Sequence, residues 1–330
     1  MAVTIEEIKK LRNLTSAGLS DCKNALIETD GDMEAAVEIL RKKGQAVAAK
    51  REDREASEGC VIAKHEGDFA AIVALKCETD FVAKNAGFVE LTNKIIDAAV
   101  ANRVQNLEDL KALSINGTTV ADLVVEETGK TGEKCELGAY ECLTAPTVTS
   151  YNHFGNKLAT IVALNLAGVD DAVARDVAMQ AAAMNPVAAT REMVPAAVIE
   201  TERNVAIDKT KEEQIKKAVE AALKKAGINP NLVDSEDHIK SNIAKGWLTE
   251  EEAEKARVVA KEAAEAKAAN MPEAMIQNIA NGRVNKFYKE SVLVEQEFVK
   301  DSSMTISQYL AKTADGLTVV DFKRVNLNED

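Results

Sequence analysis

From Ala196 to Gly227 the chain reads AAVIETERNVAIDKTKEEQIKKAVEAALKKAG, with no proline and its one glycine at the end. Ile215, Val219, Ala222 and Leu223 recur at helical spacing and leave one apolar edge. The stretch INPN (228–231) breaks the pattern. TEEEAEKARVVAKEAAEAKAANMP (249–272) restarts it with a capping box of Thr249 and Glu252. Two such helices predict an antiparallel arm over 195–275, with INPNLVDSEDHIKSNIAKGW near its tip. An Ala-rich face permits close helix approach. The arm exceeds what a small core needs, which suits contact with another chain. Trp247 either stands as exposed recognition surface or plugs the end of the hairpin, and the plug is the expected arrangement.

The rest of the chain changes period several times. Residues 1–45 predict three short helices packed as one bundle. The first starts at a capping box of Thr4 and Glu7, and Asp32 caps the third. Leu19, Cys22, Ala25 and Leu26 fall on the inward face of the second, and Gly44 is the expected stop of the third. Residues 46–59 are polar and Ala-bearing, a helical extension or linker. Over 60–145, GCVIAKHEGDFAAIVALKC predicts a hairpin turning at HEGD, followed by helices and further strands. FAAIVAL (69–75) resembles LATIVAL (158–164); a glycine precedes each, and an apolar helix follows each. That weak repeat predicts two similar strand–helix halves, the second over 146–194. Residues 276–330 are expected to rejoin the core, and within them VLVEQEFVKDSSMTISQYLAKTADGLTVVDFKRVNL (292–327) reads strand, helix, strand. With only 4% aromatic residues and five prolines, helix is favoured over an all-β sandwich. The predicted class is α+β, in the two or three domains that roughly 330 residues allow.

Charge and motif spacing narrow the function. A formal net charge of −13 repels nucleic acid on average, and no basic patch of convincing size offsets it. KREDRE (50–55) reads as a solvated mixed-charge face. Five widely spaced cysteines argue against a disulfide framework. The start carries no leader-like pattern, and no stretch approaches a transmembrane span, so a soluble protein of a reducing, cytoplasmic compartment is expected. His65, His153 and His238 lie far apart, and none sits in a metal-binding pattern. TGKTGEK (128–134) resembles a phosphate loop, but Val124 stands where its first glycine belongs. That segment is expected to be a flexible charged loop. No cofactor, metal or catalytic set is predicted, although a hydrolase's acids could hide among 54 carboxylates. The unusual spot is TDFV, Thr79 to Val82, where a strand gives way to a loop. A charge and a ring stand side by side there, and one of them is out of its usual place. Composition alone favours Phe81 packed inward beneath its own loop.

Several segments together resemble the translation elongation factor Ts family. RNLTSAGLSDCKNAL resembles the family's N-terminal signature, and CETDFVAKNAGF (77–88) its second, more specific one. SYNHFGNKLATIVAL, MQAAAMNP, NGRVNKFYKE and LVEQEFVKD match further blocks in order along the whole chain. The resemblance implies an exchange factor for elongation factor Tu, itself neither enzyme nor nucleotide binder. The implied fold is a ubiquitin-associated-like three-helix domain on a two-halved α+β core with a projecting hairpin. It implies that Thr79, Asp80, Phe81 and Val82 meet the partner's GTPase domain, where the ring wedges near the magnesium site. Arg12, Leu19, Ser20 and His153 occupy positions of the family's binding surface; the alternatives are a solvated Arg12, a core Leu19 and a structural His153, of which the contact reading is preferred for His153. The chain departs from the pattern in size: many members have a much shorter hairpin between MQAAAMNP and NGRVNKF. The rival reading is a helical-arm scaffold without exchange activity.

Overall fold

The computed structural model describes residues 3–15 and 17–329. It is a mixed α+β architecture with N-terminal helices and several sheets. Helices α1 (Ile5–Thr15), α2 (Leu19–Glu28) and α3 (Met33–Lys50) close around Leu11, Cys22, Ala25, Leu26 and Ala36. The Thr4–Glu7 box is formed in both directions, and the Asp32 carboxylate accepts the amides of Glu34 and Ala35. Leu19 departs from its expected inward place and is 52% exposed. It is the first residue of α2, beyond the reach of the face that Cys22, Ala25 and Leu26 bury.

Strands β1 (Glu58–Glu66) and β2 (Phe69–Cys77) form the expected hairpin. They lead through a single turn, α4 (Asp80–Ala83), into α5 (Ala86–Ala101). Then come α6 (Leu107–Ala112), the short pair β3 (Ser114–Ile115) and β4 (Thr118–Thr119), α7 (Val120–Thr131) and β5 (Glu136–Thr144). Strands β6 (Thr147–Asn152) and β7 (Leu158–Leu164) precede α8 (Asp171–Met184). One antiparallel sheet is ordered β1-β2-β5. The other is completed by the last strand of the chain beside β7 and β6.

FAAIVAL and LATIVAL are therefore the middle strands of two three-stranded sheets. Their side chains alternate between two cores. Phe69, Val73 and Leu75 point toward Phe88, Ile95 and Ile96 of α5. Ala70, Ile72 and Ala74 point the other way, toward Ala159, Ile161 and Ala163 of β7. The outer face of the second sheet, through Val162 and Leu164, meets Ala174, Val177 and Ala181 of α8. The order is thus helix, sheet, sheet, helix. A strand covered on both faces carries a continuous apolar run rather than an alternating one, which is why IVAL recurs.

Two expectations near α7 fail together. TGKTGEK is not a flexible loop: its first four residues complete α7, and Gly132 closes the helix at φ +71. Gly44 is no stop. The third helix runs on to Lys50, and buried Gly44 faces Gly129 of α7 so closely that a Cβ on Gly129 would lie 2.7 Å from the Gly44 Cα. Local composition names glycine a terminator, but here it permits a helix crossing. The 46–59 stretch is accordingly tied down, with Arg51 paired to Glu78 at 2.6 Å and Lys134 donating to the carbonyls of Glu52 and Arg54.

Two compact units divide the chain. One holds the residues through Thr190 and from Leu293 onward; the other is Arg191–Val292. The second unit contains α9 (Ala196–Lys225), α10 (Glu236–Ala244), α11 (Glu250–Ala269) and α12 (Glu273–Ser291). The helical period thus runs past 276, and α12 as well as α11 packs on α9. Trp247 is no plug. It is 64% exposed, with the Lys245 ammonium 5.1 Å from its ring, while its neighbour Leu248 fills the tip core with Ile239 and Ala253. The first unit resumes with β8 (Glu297–Phe298), β9 (Asp301–Thr305), α13 (Ile306–Thr313) and β10 (Val319–Asn326), which pairs with β7. Among the described residues no helix is long and apolar enough to cross a membrane.

A candidate partner-docking turn

Strand β2 ends at Cys77, and the next residues cannot continue the ladder because Thr79 caps a helical turn. Its hydroxyl accepts the Val82 amide at 3.4 Å, and its carbonyl accepts the Ala83 amide at 3.1 Å. Asn85 then caps α5 by accepting the Gly87 amide. In a turn this short only one face can meet the core. Ala83 is buried and Val82 packs partly on the same core, so Phe81 points outward, 83% exposed. The inward packing that composition favoured is absent because its neighbours occupy that side.

The turn is held from behind by groups far away in sequence. The Glu133 carboxylate accepts the Thr79 amide at 3.0 Å and the Thr79 hydroxyl at 2.7 Å. Next to it, Glu78 accepts Arg51 and the Lys134 amide, each at 2.6 Å. The Cys77 thiol donates to the Thr79 carbonyl, and burial pushes that thiol up to about 12. In front, Asp80 accepts the Lys84 ammonium at 2.6 Å. That hydrogen bond holds the Asp80 carboxyl below the usual carboxylate range, and the charges of Lys84 and Lys157 act in the same direction. The turn therefore presents an ionised carboxylate beside an exposed ring, on a backbone fixed at both ends.

The other candidates fall on two further stretches. Arg12, on α1, and Leu19 and Ser20, on α2, are exposed on the N-terminal helices. A cleft of about 970 Å³ begins one residue beyond Arg12, at Asn13, Leu14 and Thr15, and reaches Val82, Asn85 and Gly87. It connects the helical bundle to the turn. His153 is exposed just after β6, and its Nδ1 lies 3.0 Å from the Tyr151 hydroxyl. Sequence reasoning missed Glu133, whose partner is 54 residues away. It also missed Phe154, 98% exposed beside His153. The one available signal was the glycine before LATIVAL, Gly155, which marks the turn beside Phe154.

Among the described residues no group of three or more His, Cys, Asp or Glu could hold a metal ion. The profile of the family described as Elongation factor TS matches residues 78–224 and 209–329. Elongation factor Ts of Phocaeicola vulgatus is 56% identical over 331 residues, covering all of both chains. The Bacteroides fragilis protein of the same name is 55% identical, and that of Porphyromonas gingivalis 46%, with the same full coverage. These relatives match end to end, so the long segment between MQAAAMNP and NGRVNKF is not peculiar to this chain.

Proposed function

The chain belongs to the elongation factor Ts family, and from that premise we propose that the Thr79–Val82 turn is its working part. The protein is a guanine-nucleotide exchange factor for elongation factor Tu in translation elongation; it is not an enzyme. In our reading Asp80 and Phe81 dock on the GTPase domain of elongation factor Tu, and the ring wedges beside its magnesium site. Displacing magnesium weakens phosphate binding, because the ion neutralises the phosphate charge. GDP leaves, and the factor holds the nucleotide-free partner. Arg12, Leu19 and Ser20 make a second contact, and His153 a third. The three N-terminal helices act as the ubiquitin-associated-like domain, and the two sheets as the two halves of the core. The reaction belongs to the cytoplasm, and neither nucleic acid nor membrane takes part directly.

The observation that carries this reading is a phenylalanine 83% exposed on a turn braced by two hydrogen bonds, from the Thr79 amide and hydroxyl to the Glu133 carboxylate. Desolvated aromatic anchors typically carry much of an interface's energy. A factor that stabilises the empty partner must couple negatively with nucleotide. Release of labelled GDP from elongation factor Tu, with and without the chain, tests this. Stimulated release, reversed by excess GDP displacing the factor, is expected. Complex formation with the partner's GDP affinity unchanged would instead make the chain a scaffold.

A further inference from the structure

Two of the seven phenylalanines stand apart: Phe81 at 83% and Phe154 at 98% exposure, while the other five are buried or half-buried. A single exposed apolar side chain needs no explanation. Phe154 differs in how it is held. Gly155 and Asn156, at φ +90 and +55, close a tight turn in which the His153 amide donates to the Leu158 carbonyl at 2.9 Å. That turn is bolted to β1. The Asn152 side chain accepts the Ala63 amide at 2.7 Å and donates to the Ala63 carbonyl at 2.9 Å, and the Asn156 carbonyl accepts the Val61 amide at 2.7 Å. A fixed backbone beneath a solvated ring has already lost the entropy that binding would otherwise remove.

The position is as telling as the rigidity. Lys157, three residues after Phe154, pairs with Glu58 at 2.7 Å. Glu58 lies opposite Cys77 in the β1–β2 register, two residues before Thr79. The Lys157 charge also reaches Asp80, helping to hold its carboxyl low. The Lys157–Glu58 pair thus links the Phe154 hairpin to the end of the β1–β2 sheet from which the Phe81 turn departs.

We propose that Phe154 is a second aromatic anchor for elongation factor Tu, seated on the same partner molecule as Phe81 and governing affinity rather than nucleotide displacement. This assignment rests on the exchange-factor reading above. Its occupant is a protein surface with an apolar pocket next to the one that takes Phe81, because the ion pair links the Phe154 hairpin to the strand end that carries the Phe81 turn. A second copy of this chain is the competing occupant.

Full-length wild type, Phe154→Ala, Phe154→Tyr and Phe81→Ala are compared by labelled-GDP release from elongation factor Tu over a range of factor concentrations. Phe154→Ala is expected to raise the half-saturating concentration about tenfold, the scale of one anchor residue. Its release rate at saturation falls less than that of Phe81→Ala, and Phe154→Tyr restores most of the affinity. Wild-type half-saturation for Phe154→Ala overturns the assignment while leaving the exchange reading intact. A loss of affinity matched by a lower melting temperature, and not restored by tyrosine, also overturns it. So does a wild-type dimer, seen by sedimentation, that Phe154→Ala dissolves with exchange unaltered. A wild-type chain that fails to stimulate release overturns both readings together.

Discussion

Phe81 and Asp80 are adjacent, but their surroundings give them different work. The ring is 83% exposed in the free protein, so most of the energy it can supply appears only on binding. The carboxylate is already paired with Lys84 and must exchange that partner or share it. The ring is therefore the side chain whose removal should be felt most in function and least in stability. Phe81→Ala is expected to slow stimulated nucleotide release at least about tenfold, equivalent to ~1.4 kcal/mol of barrier. Its melting temperature should match wild type. Stopped-flow release at saturating factor, beside a thermal melt, checks both halves, and an unchanged rate in a folded variant removes Phe81 from the mechanism.

At the scale of elements, α7 is the hub between the helical bundle and the docking turn. Its Gly129 receives Gly44 of α3, and the segment after its last turn supplies Glu133 to Thr79. Glu133→Ala removes two acceptors from one capping residue. Release at saturation should fall severalfold, in line with the ~1 kcal/mol typical of a weakened cap. Glu133→Gln, which retains one acceptor oxygen, should fall between. Hydrogen exchange at Thr79 and Val82 should quicken in the same order; equal protection in all three proteins would deny the brace. Glu126, also on α7, gives a pH signature. Burial pushes its carboxyl above the ordinary value of 4.5, with Asp122 and Glu127 adding to that and Lys130 and Arg41 opposing it. A folded value raised above the unfolded one contributes stability below the unfolded value and loses it as pH rises through the folded one. Ionised Glu126 is thus a burden near neutrality. Glu126→Gln should raise the melting temperature by about 1–2 °C at pH 7.5, a small effect because the carboxyl is half-exposed. The gain should vanish below pH 4.5, the ordinary carboxyl value. A gain that persisted in acid would point to packing instead of charge.

For the whole molecule, the informative place is where the chain leaves and re-enters the first unit. The chain leaves the first unit after Thr190 and re-enters at Leu293. There the Leu293 amide donates to Ala188 at 2.9 Å and the Val294 amide to Ala189 at 3.2 Å. Exit and entry lie side by side, so Arg191–Val292 is an insertion whose ends already meet. Replacing it with a short Gly-Ser linker adds little loop-closure entropy. The spliced protein is expected to retain its strand signal by circular dichroism and to melt cooperatively. A molten, non-cooperative product would show that the first unit depends on the insertion for its fold.

Local spacing along the chain accounts for whatever follows from neighbours within a turn or a strand. The capping pairs Thr4–Glu7 and Thr249–Glu252, the hairpin around Gly67 and the long helices of the arm all answer to local spacing. So does the run IVAL, whose continuous apolarity reports a strand covered on both sides. The ordered TDFV and NHFGNK segments resembled a family strongly enough to point to a partner. The tertiary structure decided everything that depended on residues distant in the chain. Gly44 read as a stop until Gly129 stood against it, and Leu248, not Trp247, filled the tip of the second unit. Phe81 faces water because Val82 and Ala83 take the inward side, while Glu133 fixes the turn from 54 residues away. Helical and strand periods register which residues could be buried together. Which of them are buried is a competition for limited inward space, and that competition is settled only when distant segments arrive.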